Sequence, residues 1–144
     1  MKSEILQPIV ALAAWTMFMW LWMYATRIPA MGKVPELDVG SKIGGKGTDL
    51  DAVLPDKTQW IAHNYNHLHE APTVFYAVAL VLAISGQGDG MNATIAWAYV
   101  GLRILHSLIQ ALWNRVVVRF SVFVLSSLAL IALTLHAAIA VCNG

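Results

Sequence analysis

Charged residues are scarce in this chain. Asp, Glu, Lys and Arg make up 12% of its 144 residues, whereas a typical soluble domain carries about 25%. The formal net charge of +1 gives no reason to expect a nucleic-acid partner. Because Cys142 is the only cysteine, an intramolecular disulfide is excluded and the redox compartment cannot be inferred. The chain is instead 58% hydrophobic, and the long apolar runs indicate a membrane protein.

Four long apolar segments predict four transmembrane helices. A helix needs about 20 residues to cross a hydrocarbon core of about 30 Å, and the first segment exceeds the apolar part of a cleaved signal peptide. The second and third connections are short, which favours antiparallel neighbours. The predicted fold class is an all-α, integral membrane, antiparallel four-helix bundle, formed as a single domain over residues 1–144. Its helices are expected at about residues 5–26, 57–85, 92–113 and 120–141.

Basic residues in the connections predict the orientation, because cytoplasmic loops carry an excess of Lys and Arg. The first connection, residues 27–56, is rich in them, the third, residues 114–119, holds Arg115 and Arg119, and the second holds none. Both basic connections are therefore expected on the cytoplasmic side, with the two termini on the opposite side.

One segment of the first connection, GSKIGGKGT at residues 40–48, superficially resembles a phosphate-binding loop. The position after Lys46 is Gly47 rather than Ser or Thr, and no strand is predicted before it. The segment is therefore interpreted as a flexible loop at the membrane surface.

Polar side chains interrupt the second and third apolar segments at a spacing of three and four residues, which places them on one face of each helix. A charge near the bilayer centre costs about 2.5–3.5 kcal/mol on insertion scales, so such residues face a protein interior or a cavity. On the second helix the polar positions are Gln59, His63, Asn66 or His67, and Glu70. On the third they are Arg103, His106 or Ser107, Gln110, and Asn114.

The two polar faces also agree in depth. If Trp60 and Trp113 mark the same interface, Glu70 and Arg103 each lie ten residues inside it, or about 15 Å at the rise of an α-helix. The sequence therefore predicts an ion pair between Glu70 and Arg103. Such a pair either contributes to a ligand site or only locks two helices together.

Histidines on these faces raise the alternative of a metal or haem site. The antiparallel register places His106 near His67, and Gln110 near His63. His63 and His67 are four residues apart, but His69 points to another face and no cysteine assists, whereas zinc takes four ligands. No metal site is predicted, while a haem-binding electron carrier stays open as an alternative.

Two motifs in these segments resemble those of a known family. The first is E-x-P-x-x-F-Y, formed by Glu70, Pro72, Phe75 and Tyr76. The second is R-x-x-H followed by N and then R, formed by Arg103, His106, Asn114 and Arg119. Together, within four apolar spans, they are similar to the bacterial branch of the MAPEG family, the membrane-associated proteins in eicosanoid and glutathione metabolism.

This resemblance implies a homotrimer that uses glutathione as co-substrate, bound between subunits and open to the cytoplasm of a bacterium, with the chain in the inner membrane. Arg119 occupies the position of the arginine that stabilises the glutathione thiolate in active members. A thiol of pKa about 8.5 is mostly protonated at neutral pH, and a nearby guanidinium favours the thiolate. The residues expected to bind glutathione are Glu70, Arg103, His106, Asn66, His67, His63, Gln110 and Asn114.

The expected function is that of a glutathione-dependent transferase or peroxidase acting on lipophilic electrophiles or peroxides, with membrane lipids as surroundings. The chain departs from active members at several positions: His63, Asn66 and His67 stand where an arginine is usual, Gln110 replaces one tyrosine, and Phe123 replaces another. The alternative is a protein of this fold that binds another small polar or lipidic ligand without glutathione chemistry.

Overall fold

A computed structural model describes residues 2–35, 37 and 43–144. Within these residues there are five α-helices and no β-strand: α1 (Leu6–Gly32), α2 (Asp56–His67), α3 (Ala71–Ile84), α4 (Met91–Leu112) and α5 (Val116–Cys142). Because α2 and α3 together form one span, the described chain has four spans long and apolar enough to cross a membrane. The predicted all-α four-helix bundle is confirmed. Lys42 and the start of the 40–48 segment lie outside the described residues.

The helices pack around one core, in which α4 contacts α1, α2 and α5. The buried face of α4 recurs every three or four residues, as expected for a helix with one buried stripe. Near its start this face is apolar, and Tyr99 stacks on Phe75 of α3 with ring centroids 4.6 Å apart. Further along, the same face carries Arg103, His106 and Gln110, all buried. The polar half of the core therefore lies towards the end of the bundle where α4 connects to α5.

The second span is not the continuous helix that the sequence predicts, because α2 ends at His67 and α3 begins at Ala71. Pro72 accounts for the break, since a proline inside a helix lacks an N–H and its ring clashes with the carbonyl four residues earlier. In the first turn of α3 the same residue is tolerated. Backbone carbonyls released by the break find side-chain donors: the His69 ring contacts the Tyr65 carbonyl at 2.9 Å, and Arg103 donates to that of His67 at 3.3 Å.

Two helix ends also differ from the sequence prediction. The first helix continues to Gly32, and Arg27 near its end donates from Nη2 to the Gly47 carbonyl at 2.9 Å. The last helix begins at Val116, so that Arg119 lies in its first turn rather than in a connection. A helical Arg119 has a fixed direction relative to Phe123, one turn further on.

At the opposite end of the bundle, the N-terminal segment is tied to the α3–α4 connection. The Ile5 N–H donates to the Gly88 carbonyl at 3.0 Å, and the Glu4 N–H donates to Asp89 Oδ1 at 2.7 Å. In the opposite direction, the Gly90 N–H donates a hydrogen bond to Glu4 Oε2 at 3.1 Å. Close backbone approach at Gly88 makes this joint possible.

Replacing Gly88 by alanine is expected to lower the free energy of unfolding by about 1–3 kcal/mol, the usual cost of overpacking. The added Cβ would lie 2.1 Å from Ser3 Oγ, 2.7 Å from Ile5 Cγ2 and 3.1 Å from the Ala83 Cα. Unfolding by sodium dodecyl sulfate from mixed micelles, followed by circular dichroism, measures the change.

The matched control is Gly101→Ala in α4, where an added Cβ has no neighbour within 4 Å. Because glycine in a helix interior costs roughly 0.5–1 kcal/mol relative to alanine, this variant should be as stable as the wild type or more so. A Gly88→Ala protein as stable as Gly101→Ala would contradict the packing described at the joint.

Candidate functional site

A cavity of about 190 Å³ opens where α2, α4 and α5 meet. Its lining combines two imidazoles and a guanidinium with apolar side chains, and consists of His67, His106, Val116, Arg119, Phe120 and Phe123. The sequence placed the three polar members in a common site, and the structure brings them together.

Arg103 lies beside this cavity with its side chain fully buried. Its Nη2 is 3.3 Å from both Nδ1 and the carbonyl oxygen of His67. The Nε and Nη1 atoms have no hydrogen-bond partner among the described residues. Buried donors without acceptors cost about 1–3 kcal/mol each, and more when they are charged. These two donors of Arg103 are therefore left unsatisfied within the protomer.

The contact with Arg103 fixes the tautomer of His67. Because arginine only donates hydrogen bonds, Nδ1 of His67 is the acceptor and Nε2 carries the ring hydrogen. That Nε2 faces Glu70, with Oε2 3.9 Å away. Glu70, His67 and Arg103 thus form a row in which the imidazole separates the two charges.

The predicted ion pair between Glu70 and Arg103 is wrong for the protomer. Glu70 lies in the turn between α2 and α3, where 66% of its side chain is exposed, whereas the Arg103 guanidinium is directed to His67. The helical register used for the prediction is interrupted before Pro72, so the matching depths did not lead to a direct contact.

His106 is the second imidazole of the cavity and is only 1% exposed. Its ring centroid lies 5.2 Å from that of His67, as the antiparallel register predicted, and 6.3 Å from the ring of Phe123. Nδ1 of His106 has no hydrogen-bond partner among the described residues. This nitrogen is therefore a buried polar atom that the protomer leaves unsatisfied.

Arg119 is half-buried and is held by Asn114 in the connection between α4 and α5. Its Nη1 donates to Asn114 Oδ1 at 2.5 Å. Asn114 adopts a left-handed backbone with φ of 51°, a conformation that asparagine tolerates better than most residues, and its N–H returns to the Ile109 carbonyl. The neighbouring Arg115 instead lies 5.2 Å from the Trp113 ring and does not line the cavity.

Six of the eight residues predicted to bind glutathione do not line the cavity within the described part of the chain. Besides Glu70, Arg103 and Asn114, whose positions are given above, these are His63, Asn66 and Gln110. His63 lies 3.1 Å from Asp51 in the first connection, and Asn66 is exposed on α2. Gln110 is buried, with its Oε1 unpaired among the described residues. The predicted polar stripe of α2 therefore combines residues that the structure places on different faces.

Sequence reasoning also missed residues of the site. The apolar lining from α5 could have been found from spacing, because Phe123 follows Arg119 by one helical turn and Val116 precedes it by nearly one. Asn64 is fully buried and neither of its side-chain polar atoms has a partner among the described residues. Its signal was an amide three residues before His67 on α2, a spacing that places the two side chains on one helix face.

Comparison with known proteins gives one match. The model of the MAPEG family matches residues 5–139 of the chain. No curated protein and no solved structure matches it.

Proposed function

The chain belongs to the MAPEG family and is an integral, multi-pass membrane protein, and we propose that it is a glutathione-dependent transferase or peroxidase for lipophilic electrophiles or peroxides. The observation that carries this proposal is a single cavity in which Arg119 and two imidazoles meet an apolar wall, beside a buried Arg103 with two unpaired nitrogens.

Glutathione has two carboxylates and one ammonium group, and the site offers a partner for one carboxylate and for the ammonium group. Carboxylates form their strongest hydrogen bonds with guanidinium groups, and the buried Arg103 offers two free nitrogens. Glu70 is a carboxylate within reach of the same region through His67. We assign Arg103 to a glutathione carboxylate and Glu70 to the ammonium group.

Arg119 is assigned to the thiolate. A cationic neighbour lowers the pKa of a thiol and raises the fraction of nucleophile at neutral pH. The wall formed by Val116, Phe120 and Phe123 suits an apolar acceptor, and the first two are largely exposed on the surface of α5. An acceptor dissolved in the bilayer can reach the sulfur by that route, where the thiolate attacks it.

A second protomer would complete the site. The cavity of about 190 Å³ is smaller than the roughly 300–1,000 Å³ of typical small-molecule sites. Glu70 and Asn66 are exposed on a membrane span, although charged residues in a bilayer almost always face protein or water. We propose that this surface faces another copy in a homotrimer, with the basic connections on the cytoplasmic side.

Titration of the purified protein with glutathione tests the proposal. We expect a heat of binding and an increase in ultraviolet thiolate absorbance, followed by turnover of a model aryl halide. S-Methylglutathione has no ionisable thiol and should bind without the absorbance change. If glutathione neither binds nor reacts, the alternative of a family member with a different small polar or lipidic ligand is favoured.

A further inference from the structure

A second, larger cavity lies at the end of the bundle opposite the candidate site. Its volume is about 540 Å³, within the roughly 300–1,000 Å³ of typical small-molecule sites. The start of α4, the end of α5 and the α3–α4 connection form it, and its polar members include Gln87, Asp89, Asn92, His136 and Asn143. The proposed glutathione chemistry uses none of these residues. We propose that this cavity binds the headgroup of a phospholipid that carries a primary ammonium group.

One free acceptor of the cavity is a nitrogen of His136. Nδ1 of His136 lies 2.6 Å from Asn92 Oδ1, while the Asn92 amide nitrogen donates to the Gln87 carbonyl. Because the amide oxygen can only accept, Nδ1 carries the ring hydrogen, and Nε2 of the neutral ring has a lone pair. Among the described residues Nε2 has no hydrogen-bond partner, and the atom is not buried. It is therefore accessible to an N–H group of a ligand.

The second acceptor is the carboxylate of Asp89, the only formally charged side chain among the described residues that line the cavity. Its Oδ1 accepts hydrogen bonds from the Glu4 N–H at 2.7 Å and from Ser3 Oγ at 3.3 Å. No described residue forms an ion pair with Asp89, and no described Lys or Arg lines the cavity. The charge of the lining therefore suits a cationic group and disfavours an acidic lipid headgroup.

These acceptors select an ammonium group that carries N–H bonds. A carboxylate and the lone pair of a neutral imidazole both need hydrogen-bond donors, which a trimethylammonium group lacks. Proteins recognise quaternary ammonium groups with cages of Trp, Tyr or Phe, and none of the described residues lining the cavity is of these types. The cavity therefore favours a primary ammonium group over choline.

The helix ends at the cavity favour a zwitterion over a simple amine. α4 begins here, and α5, which runs antiparallel to it, ends here. The start of a helix carries a partial positive charge and its end a partial negative charge. No side chain caps α4 at Gly90, and uncapped N–H groups at a helix start bind phosphate. We assign the phosphate to the start of α4, and the ammonium group to Asp89, His136 and the end of α5.

The cavity also borders the surface that faces the bilayer. Met91 and Ile139 line it and are 70% and 57% exposed, and Leu135, one turn before Ile139, is 58% exposed. An acyl chain attached to the headgroup can lie along these side chains, and a water-soluble amine has no group that would use them. A phospholipid is therefore the ligand that fits both the polar and the apolar parts of the site.

Native mass spectrometry of the purified protein in detergent tests the proposal with lipids of identical acyl chains. The probes are phosphatidylethanolamine, its monomethyl and dimethyl forms, and phosphatidylcholine, in which methyl groups replace the N–H bonds one by one. We expect phosphatidylethanolamine to bind about 10-fold more tightly than phosphatidylcholine, the lower end for a hydrogen bond to a charged group. Equal affinities across the series would overturn the proposal, and this comparison needs no variant.

His136→Asn removes the free nitrogen and keeps an amide that can donate to Asn92. We expect its affinity for phosphatidylethanolamine to fall about 10-fold, with the affinity for phosphatidylcholine unchanged. His69→Asn is the matched control, because the Nδ1 of His69 also contacts an oxygen of the protein and His69 does not line this cavity. It should bind both lipids as the wild type does. Circular dichroism verifies that both variants are folded, and wild-type selectivity in His136→Asn would refute the assigned site.

Soluble phosphoethanolamine distinguishes a lipid from a free zwitterion with the same headgroup chemistry. We expect it not to displace phosphatidylethanolamine at equal concentration, because it has no acyl chain to contact the exposed face of α5. Displacement at equal concentration would mean that the ligand is a soluble amine and that the assignment to a lipid is wrong. Glutathione titration of His136→Asn should match that of the wild type, so either result leaves the proposed function unaffected.

Discussion

Arg103→Gln is expected to weaken glutathione binding by about 10- to 150-fold, equivalent to the roughly 1.5–3 kcal/mol of a hydrogen bond to a charged group. The glutamine amide can still donate to the His67 carbonyl that Arg103 contacts at 3.3 Å. The carbonyl at the break between α2 and α3 should therefore keep a side-chain donor. What the variant loses is the positive charge and the two unpaired nitrogens. Calorimetric titration with glutathione measures the change in affinity.

Arg103→Met separates binding from folding in the same experiment. Methionine removes the donor to the His67 carbonyl, and an unsatisfied carbonyl inside a membrane costs several kcal/mol. The cost is reduced here, because the Glu70 N–H also donates to that carbonyl. We expect the Arg103→Met protein to bind glutathione no better than the Arg103→Gln protein does. We also expect Arg103→Met to be the less stable of the two variants. Equal affinity in wild type and Arg103→Gln would show that Arg103 serves only to hold the helices.

The spans followed from hydropathy, because apolar length is a property of the sequence that packing scarcely changes. Their antiparallel order followed from the short connections. The break in the second span was harder to predict. Pro72 was visible, but the apolar run continues through it, and proline kinks are tolerated in membrane helices when other groups satisfy the released carbonyls. Those groups, His69 and Arg103, are identified only when the fold brings them to the carbonyls.

The sequence predicted which residues share the candidate site better than it predicted which of them are in contact. Matching depths correctly brought His106 beside His67, since depth depends on residue count alone. The partner of Arg103 depends on the rotation of each helix, and the turn before Pro72 changed that rotation for Glu70. The start of α5 was predicted too late because Arg115 and Arg119 suggested a polar connection. In the structure, the apolar residues between them begin the helix.

Assembly is the property about which the sequence says least. Nothing in the composition of the helices selects three copies over two or four. Glu70 and Asn66 are exposed on a span, which supports the proposal that another copy covers this surface. The number of copies remains a proposal from family membership, and mass measurement of the complex in detergent would determine it.

Arg119→Ala is expected to reduce kcat by about 10²–10³-fold, the usual loss when one preorganised electrostatic contact to a developing or reacting charge is removed. The dissociation constant of glutathione should change much less, since Arg103 and Glu70 are assigned to the charged ends of the tripeptide. Steady-state rates with an aryl halide and calorimetric titration give the two quantities. A loss confined to kcat identifies an interaction made with the reacting sulfur.

Arg115→Ala is the matched control, because it removes the same charge four residues earlier. Arg115 is exposed and contacts the Trp113 ring rather than the cavity, so both constants should stay near their wild-type values. If both variants lose rate equally, the effect comes from the overall basic charge at this end of the bundle. Equal losses of rate and affinity in Arg119→Ala would mean that Arg119 binds glutathione without acting on its thiolate.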